Sequence, residues 1–533
     1  CPYRSTRPPP VSGRNFPIVT ATGGRSAARP AGDVRPASLP LVHAYEALTS
    51  AERQLWDAYP TGRSVDFRTG GPEDDPEGGA DWGVGRTVRA SVVAALLLGG
   101  NPGQAGGRPA LRLAGARISG GLDLDGAEIG HAMWFEGCWF ERAVNLYGAT
   151  TRTIDIKRSR LPGLDLTMAR VDGTVSLRRT VLTDRLDLTN ARLAGELVLD
   201  HAVISGSGDW AVWAGGLAVE GAVFCNGTTV HGGLRLPGAQ LPGGLHMQGA
   251  RLRHRDGVAL LAERAVVSSL ALSQGFTAEG TVSLRGAEVA DQLNLDGAVL
   301  QAPVLALDCA RMQTGTLVFT PARAPSAAVD LQYARVVTLQ DRPDAWPDTV
   351  RLQGFTYGSL HESGAPQDRA VERRVAWIRR HPGYAAQPYE QLAAWYRQIG
   401  HDDDARRVLL AKQRHRRGTL GLPARLWGHL LDATVGYGYR PWLAGLWLAA
   451  LVVLGTAVFA AHTPKPTQPG QVPPFNAFVY TLDLLIPIGG LGQRTSWYWP
   501  GGTAAWLAYA LVAAGWILTT AVLAGVTRTL SRQ

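Results

Sequence analysis

Leu186-Asp-Leu188-Thr-Asn-Ala191-Arg-Leu193 is one copy of a short phrase that recurs from about residue 111 to residue 310. Similar copies begin at residues 111, 122, 245 and 293, and most steps between copies are ten to twelve residues. Two apolar residues at spacing two point to one side of a strand. The small residue three places further on must then lie where a corner of the chain leaves little room.

A repeat of this length predicts the fold of the central half of the chain. Two copies make a coil of about 22 residues, and stacked coils form a parallel β-helix. Roughly ten to twelve coils at about 4.8 Å each would give a rod of roughly 50 Å. Cys138, Ser159 and Thr180 take the small position in other copies, so the slot selects size more than chemistry. We therefore predict a mainly β fold with a parallel β-helix solenoid over residues 109–360.

The segments on either side of the solenoid have different compositions. Residues 1–40 are rich in Arg, Pro, Gly and Ser and predict a disordered tail. Residues 41–108 predict a small helical cap, since residues 49–52 form a capping-box pattern and an apolar helix follows near residues 88–98. Residues 361–440 predict a helical joint similar to one tetratricopeptide unit, followed by a basic interfacial segment. Solenoids need such caps because an open end is an unpaired sheet edge.

Two insertions interrupt the repeat, near residues 205–213 and 254–267. Insertions in solenoids often carry binding sites. The exposed candidates for contact with a protein partner are Trp210, Trp213, His254 and Arg255. The alternative interpretation is simple drift in a degenerate repeat.

Two apolar stretches near the C-terminus predict a transmembrane hairpin over residues 441–533. Residues 442–461 are twenty residues without a charge, and residues 503–526 form a second such stretch. Basic residues flank the pair on the outside, which predicts that both termini and the solenoid lie on the cytoplasmic side of the plasma membrane. The residues expected to contact anionic lipid headgroups are Arg414, Arg416, Arg417, Arg425 and Arg440.

The segment between the two stretches, residues 475–493, is apolar and too short to span a bilayer comfortably. It could form a re-entrant loop, and an acid at membrane depth is a functional hypothesis. The candidate pore residues are Asp483, Pro487, Gly489, Gly490 and Gly492. The two interpretations left open are an oligomeric two-span cation channel and an interfacial helix with Asp483 in water.

Cofactor and metal motifs are not evident in this sequence. The chain has four cysteines, no CxxC, no GxGxxG after a strand and no His/Cys cluster at metal-ligand spacing. We therefore expect no cofactor, no metal and small buried cysteines in a reducing compartment. The formal charge is +9, but the solenoid is balanced, so no nucleic-acid partner is expected. The Asp of Leu-Asp-Leu, as at residues 123, 165 and 187, is interpreted as a tolerated outward position.

Several phrases resemble an actinobacterial family of membrane proteins. They are residues 51–56 (AERQLW), the Leu-x-Leu-x-Gly-Ala coils, residues 387–392 (QPYEQL), residues 401–407 (HDDDARR) and residues 436–441 (GYGYRP). Such proteins are similar to pentapeptide-repeat proteins in their coils and are often labelled membrane-associated oxidoreductases, so the resemblance implies a β-helix, a membrane location and redox activity.

Three functions follow from these observations. The first is a membrane-anchored cytoplasmic scaffold that binds an unidentified protein partner without catalysis. The second is the channel, with the solenoid as its regulator and the chain as a homo-oligomer. The third, an oxidoreductase, depends on the resemblance alone.

Overall fold

The structure is a computed structural model that describes residues 45–101, 106–364, 370–422, 425, 429, 442–462, 464–468, 470, 473–486 and 490–530. The predicted tail, residues 1–40, lies outside the described residues. All described residues belong to one compact unit, Val42–Gln533.

The predicted parallel β-solenoid is confirmed, with about eleven turns. Sheet A contains Val65–Asp66, Leu111–Ala114, Met133–Glu136, Thr150–Thr151, Ile154–Lys157, Arg170–Val171, Val175–Ser176, Arg192–Leu193, Leu197–Val198, Ala218–Val219, Val223–Phe224, Gln240–Leu241, Leu245–His246, Val266–Ala271, Glu288–Asn294, Gln313–Phe319, Arg335–Asp341 and Thr356–Glu362. Sheet B contains Thr87–Arg89, Arg117–Ser119, Trp139–Phe140, Val144–Asn145, Arg160–Leu161, Leu164–Asp165, Val181–Leu182, Leu186–Asp187, Val203–Trp213, Thr229–Arg235, Arg251–Leu261, Thr277–Ser283, Val299–Gln301, Leu305–Asp308, Ala328–Asp330 and Val350–Arg351.

One early coil shows how the repeat folds. Its four short strands are Arg170–Val171, Val175–Ser176, Val181–Leu182 and Leu186–Asp187, and Arg192–Leu193 begins the next coil directly above the first strand. Each strand pairs in parallel with the strand 22 residues on, as Val175 pairs with Leu197. In later coils the two strands of one sheet merge into a single longer strand. The apolar residues of all coils meet in one continuous core.

Tight turns at the coil corners explain the Leu-x-x-Ala part of the phrase. The Ala191 N–H donates to the Leu188 carbonyl over 3.0 Å, and Asn190 between them has a φ of 55°. This is the pattern of a type II turn, whose third residue is left-handed and is most often glycine. Gly148 takes that position in another coil, with a φ of 62°. Residues other than glycine take it at Arg158, Met168, Arg179, Asn190, His201, Arg264, Arg311 and Tyr333.

The residue after the left-handed one lies inside the coil. Ala191 and Cys138 are fully buried there, as the predicted small slot requires, but Leu217, Met312 and Phe355 occupy the same position in other coils. Where the slot holds a hydroxyl, the hydroxyl is hydrogen-bonded: Thr180 Oγ1 donates to the Ile156 carbonyl over 2.6 Å, and Ser159 Oγ accepts from the Cys138 N–H over 3.0 Å. A buried polar atom in this position must therefore find a partner.

The Asp of Leu-Asp-Leu has a role that the sequence interpretation missed. Asp165 Oδ1 accepts the Thr167 N–H over 2.9 Å, and Asp187 Oδ1 accepts the Thr189 N–H over 3.0 Å. The side chain therefore supports the turn that follows, as Asp and Asn do in Asx turns. Its recurrence reflects turn formation and not only tolerance of a polar residue on the outer face.

The described helices are α1 (Ser50–Ala58), α2 (Ala90–Leu97), α3 (Ala370–Arg379), α4 (Gln387–Gln398), α5 (Asp402–Gly418), α6 (Trp442–Ala460), α7 (Ala477–Leu485), α8 (Gln493–Ser496) and α9 (Thr503–Leu530). Short 3-10 turns lie at Tyr45–Ala47, Tyr59–Thr61, Pro72–Asp74, Pro76–Asp81, Val84–Arg86 and Pro343–Ala345. A small antiparallel pair joins Lys465–Pro466 to Trp497–Tyr498.

The N-terminal end of the solenoid begins earlier than the predicted residue 109. Val65 pairs with Leu113 and Thr87 pairs with Arg117, so two strands of the first coil lie within the segment 41–108 that was predicted to be a helical cap. The second predicted helix is accordingly shorter, because Val88 belongs to a strand and α2 starts at Ala90.

The C-terminal end of the solenoid is closed by helices α3 to α5, which share its core. The side chain of Gln387 accepts the Gly354 N–H over 3.0 Å and donates to the Phe355 carbonyl over 2.9 Å. Gln391 donates to the Tyr357 carbonyl over 2.8 Å, and His381 Nδ1 accepts the Leu352 N–H over 3.0 Å. Within the described residues, no further coil follows the last one to pair with these backbone N–H and carbonyl groups. They form hydrogen bonds with the side chains instead.

One described helix is long and apolar enough to cross a bilayer, namely the Thr503–Thr520 part of α9, with a mean hydropathy of 1.4. The apolar stretch Gly445–Ala460 of α6 is shorter. Helix α7 packs between α6 and α9, where a Cβ on Gly455 would lie 2.4 Å from Thr481 Cγ2. The transmembrane hairpin remains a prediction.

The left-handed corner predicts opposite effects for two neighbouring glycine substitutions. Arg179→Gly should raise the free energy of unfolding by about 1 kcal/mol, because a left-handed L-residue costs roughly 1–2 kcal/mol. Arg178→Gly, one residue earlier and outside the left-handed region, should lower it by about 0.5–1 kcal/mol. Urea midpoints of the full chain at unchanged slope measure both changes. Shifts of the same sign would contradict the turn assignment.

The capping box at the start of α1 predicts a pH dependence. Glu52 accepts the Thr49 N–H over 2.9 Å and Arg89 Nε over 2.7 Å. Burial by itself would raise the pKa of Glu52, but these hydrogen bonds and the Arg89 charge outweigh it and lower the pKa to about 2. Because the folded-state pKa lies below the usual value of 4.5, the stabilisation is present above pH 4.5 and is lost as the pH falls toward 2.

Thermal midpoints of the protein and its Glu52→Gln variant measure this contribution. The difference between the two should be largest at neutral pH and should shrink between pH 4.5 and 2. Glu46→Gln, which changes an exposed carboxylate nearby, serves as the control. A difference for Glu52→Gln that does not vary with pH would refute the assignment.

Candidate functional site

The two predicted insertions lie beside each other on the outside of sheet B. Ser205 and Val212 are seven residues apart, whereas their partners His231 and Leu234 are three apart, so the first insertion adds four residues. The second insertion also adds four residues, because Arg253 and Leu260 are seven residues apart and pair with the same His231 and Leu234. We call residues 205–210, 231–233 and 253–258 the insertion ridge. The second insertion is shorter than predicted, since parallel pairing resumes at Val258 and continues to Leu261.

An aromatic contact joins the two insertions across the intervening coil. The Trp210 and His254 rings are 6.1 Å apart and nearly perpendicular. Gly233 lies beneath them, and a Cβ at that position would come within 2.4 Å of Trp210 Cε3. His254 Nδ1 also lies 3.2 Å from the Val258 carbonyl, which ties the second insertion to the strand that follows. The ridge is therefore a packed surface feature and not a pair of independent loops.

The ridge carries an ion pair on its C-terminal side. Arg255 Nε donates to Glu279 Oε2 of the next coil over 2.6 Å, and this bond raises the pKa of Arg255. The Arg255 side chain is still 79% exposed. Both residues line a shallow cleft of about 240 Å³ that extends to Pro303 and Ser326. A partner could contact the guanidinium without displacing any packed residue.

The structure brings together three of the four predicted ridge residues. Trp213 lies apart, in the strand segment after the bend, where it pairs in register with Asp187 and Arg235. The Arg235 guanidinium is 5.4 Å from the centre of the Trp213 ring. Sequence reasoning missed Gly233 and Glu279, although an alignment of successive coils would have placed both beside the insertions.

Asp483, the predicted pore acid, makes two backbone contacts. Its Oδ1 accepts the Leu491 N–H over 2.8 Å, and its Oδ2 accepts the Arg494 N–H over 2.8 Å. The carboxylate is fully buried and connects the end of α7 to the short helix α8. Gly492, with a φ of 82°, forms the turn into α8. Gly490 is close to the carboxylate, while Pro487 and Gly489 lie outside the described residues.

The predicted lipid-contacting residues lie at the end of α5 and beyond it. Arg414 and Arg416 are exposed on α5 and Arg417 is partly exposed. Arg425 is described and exposed, whereas Arg440 lies outside the described residues. Helix α5 begins with three acidic residues and ends with basic ones, an order that complements the helix dipole.

The thiols of the solenoid are enclosed within its core. Cys138, Cys225 and Cys309 are free and buried. Burial raises the pKa of Cys138 and of Cys225 to about 12, and it raises the pKa of Cys309 as well. A thiol in this state is a poor nucleophile. Within the described part of the chain, no three His, Cys, Asp or Glu side chains form a group that could hold a metal ion.

Comparison with protein-family models, with curated proteins and with solved structures finds no match to this chain. The resemblance to an actinobacterial membrane family therefore stays a prediction.

The contacts of Asp483 predict a structural penalty for a subtle substitution. In Asp483→Asn, the amide group would face one of the two backbone N–H donors, and we expect a loss of about 2 kcal/mol in stability. The thermal midpoint of the detergent-purified protein and protease cleavage within residues 486–494 measure the change. Arg494→Ala is the matched control, because it keeps the backbone N–H and removes the charge. Equal losses in both variants would point to an Asp–Arg ion pair instead.

Proposed function

We propose that this protein is a membrane-anchored β-solenoid scaffold that presents the insertion ridge to a protein partner on the cytoplasmic side. The observation that carries the proposal is the ridge itself. It combines an aromatic pair, exposed charge and rigid support by stacked coils, and these features are typical of residues that dominate binding energy at interfaces. We assign no catalytic step to any residue.

Exposed apolar side chains on the C-terminal helices support membrane anchoring. Val453 is 70% exposed on α6, and Trp506 and Tyr509 are 77% and 70% exposed on α9. The inner faces of the same helices pack around Phe459 and Tyr480, which are buried. Helices that are apolar on both sides suit a lipid environment better than water.

The charge distribution supports a location of the solenoid on the cytoplasmic side of the membrane. Residues 405–431 contain seven Arg or Lys residues and no Asp or Glu. The segment between the two apolar stretches contains only two Arg or Lys residues, Lys465 and Arg494. Short basic segments beside a membrane helix stay on the cytoplasmic side. The contacts of Asp483 with the backbone favour an anchor over a pore, because both carboxylate oxygens already have donors.

Site-specific photo-crosslinking in native membranes tests the scaffold. A benzoylphenylalanine at position 209, an exposed position of the ridge, should give one discrete crosslinked species, and Trp210→Ala in the same chain should remove it. The same probe at position 170, which is exposed on sheet A, is the control. Equal crosslinking from both positions, or none from either, would contradict the proposed surface.

Alkaline carbonate extraction of the same membranes tests the anchor separately. The full-length protein should stay with the bilayer, because apolar helices held by lipid resist removal of peripheral contacts. Release into the supernatant would refute membrane anchoring while leaving the crosslinking result interpretable.

A further inference from the structure

A cleft lies between helices α3 and α5, at the C-terminal end of the solenoid. Its volume is about 510 Å³. The lining residues of α3 follow the spacing of one helix face, as Val371, Val375 and Arg379 show, and the α5 face contributes Arg407, Leu410 and Arg414. The cleft is therefore built from two facing helix surfaces and not from a loop.

The cleft is amphipathic. Val371, Val375 and Leu410 are buried and form its floor, while the three arginines are exposed at its rim. Glu372 also lines the cleft, so three cations face a single acid. Arg407 reaches Asp404 over 3.2 Å on the exposed side of α5. An apolar floor below an excess of guanidinium groups suits a ligand with an anionic head and an apolar tail.

The surroundings of the cleft add positive charge. Lys412, Arg416 and Arg417 lie on the same helix, and no acid occurs from residue 405 to residue 431. Lys412 pairs with Glu390 of α4. The chain reaches the first apolar stretch, α6, 24 residues after the end of α5.

We propose that the cleft between α3 and α5 binds the phosphate group of an anionic phospholipid, with the first part of an acyl chain against the apolar floor. This inference rests on the proposed membrane location and names the lipid that the joint recognises. The guanidinium groups of Arg379 and Arg414 bind the phosphate, since guanidinium donors match phosphate oxygens in geometry and charge. The cleft is larger than a free phosphate ion would fill, and its apolar floor distinguishes the lipid from that ion.

Lipid titration of the full-length protein in neutral detergent tests the cleft. The probes are dioctanoyl-phosphatidylglycerol, dioctanoyl-phosphatidylcholine and glycerol phosphate, with binding followed by isothermal titration calorimetry. The anionic lipid should bind more tightly than the other two probes. Arg379→Gln with Arg414→Gln should weaken it by at least about tenfold, since two charge-assisted hydrogen bonds are lost.

Two further variants separate the cleft from general electrostatics and from misfolding. Arg397→Gln with Arg406→Gln removes the same charge from exposed positions of α4 and α5 outside the cleft, and it should change the affinity by less than about twofold. Ala376→Trp fills the cleft without changing charge and should also abolish binding while the thermal midpoint is kept.

Three outcomes would overturn the proposal. Equal weakening in the Arg397/Arg406 control would show diffuse attraction. Equal binding of phosphatidylcholine would remove the role of the arginines, and equal binding of glycerol phosphate would remove the role of the floor. Because these titrations use detergent, their failure differs from a failure of the anchor, which carbonate extraction reports for the same variants.

Discussion

Each coil of the solenoid has to turn onto the next sheet within four residues, and much of the structure follows from that requirement. The third residue of the turn is left-handed, and the fourth lies inside the coil. Asn190 and Ala191 meet both conditions. The two predicted insertions occur at the bends inside sheet B, where parallel pairing resumes after four extra residues.

The ends of the solenoid are closed by polar contacts as well as by apolar packing. Arg374 lies almost fully buried and donates to both oxygens of Asp341 over 2.8 and 2.7 Å, and Asp341 also accepts the Trp346 indole N–H over 2.6 Å. Burial by itself would lower the pKa of Arg374, but the Asp341 carboxylate outweighs it, and the pKa is raised. Removing Arg374 would leave the Asp341 carboxylate buried without its cation, which typically costs about 3–5 kcal/mol. Helix α3 is therefore held in one orientation on the last coil.

The sequence predicted the coils well because their period is repeated in every copy, so a single ambiguous strand did not matter. The sequence predicted the role of a residue less well wherever that residue has two physical roles. The Asp of Leu-Asp-Leu faces outward and also caps a turn, and only the outward position was visible in the pattern. The apolar segment around Asp483 left a pore acid and an interfacial helix as open interpretations, and the partners of Asp483 are backbone N–H groups that no sequence pattern identifies.

The candidate site also combines features that the sequence predicted with features that it did not predict. Trp210, His254 and Arg255 were found because they interrupt the period. The contact between the Trp210 and His254 rings was not predictable from spacing along one strand, since it passes over Gly233 in a different coil. Trp213 was grouped with them because it is near in sequence, but the bend turns it onto another face, where it meets Arg235. In a solenoid, residues one coil period apart are neighbours in space, whereas residues close together in the chain can lie on different faces.

One continuous core runs from α1 through all coils to α5, and this has a mechanical consequence for the proposed scaffold. The second insertion of the ridge, residues 253–258, lies four coils before Val350–Arg351, the last strand of sheet B, which at about 4.8 Å per coil is a separation of roughly 20 Å. Parallel coils stacked in register neither slide nor bend easily, so this separation is fixed. A globular domain on a flexible linker would give a partner a range of distances from the membrane. A solenoid closed by the Arg374–Asp341 pair would hold the partner at one distance, and the basic helix α5 would set that distance relative to the lipid surface.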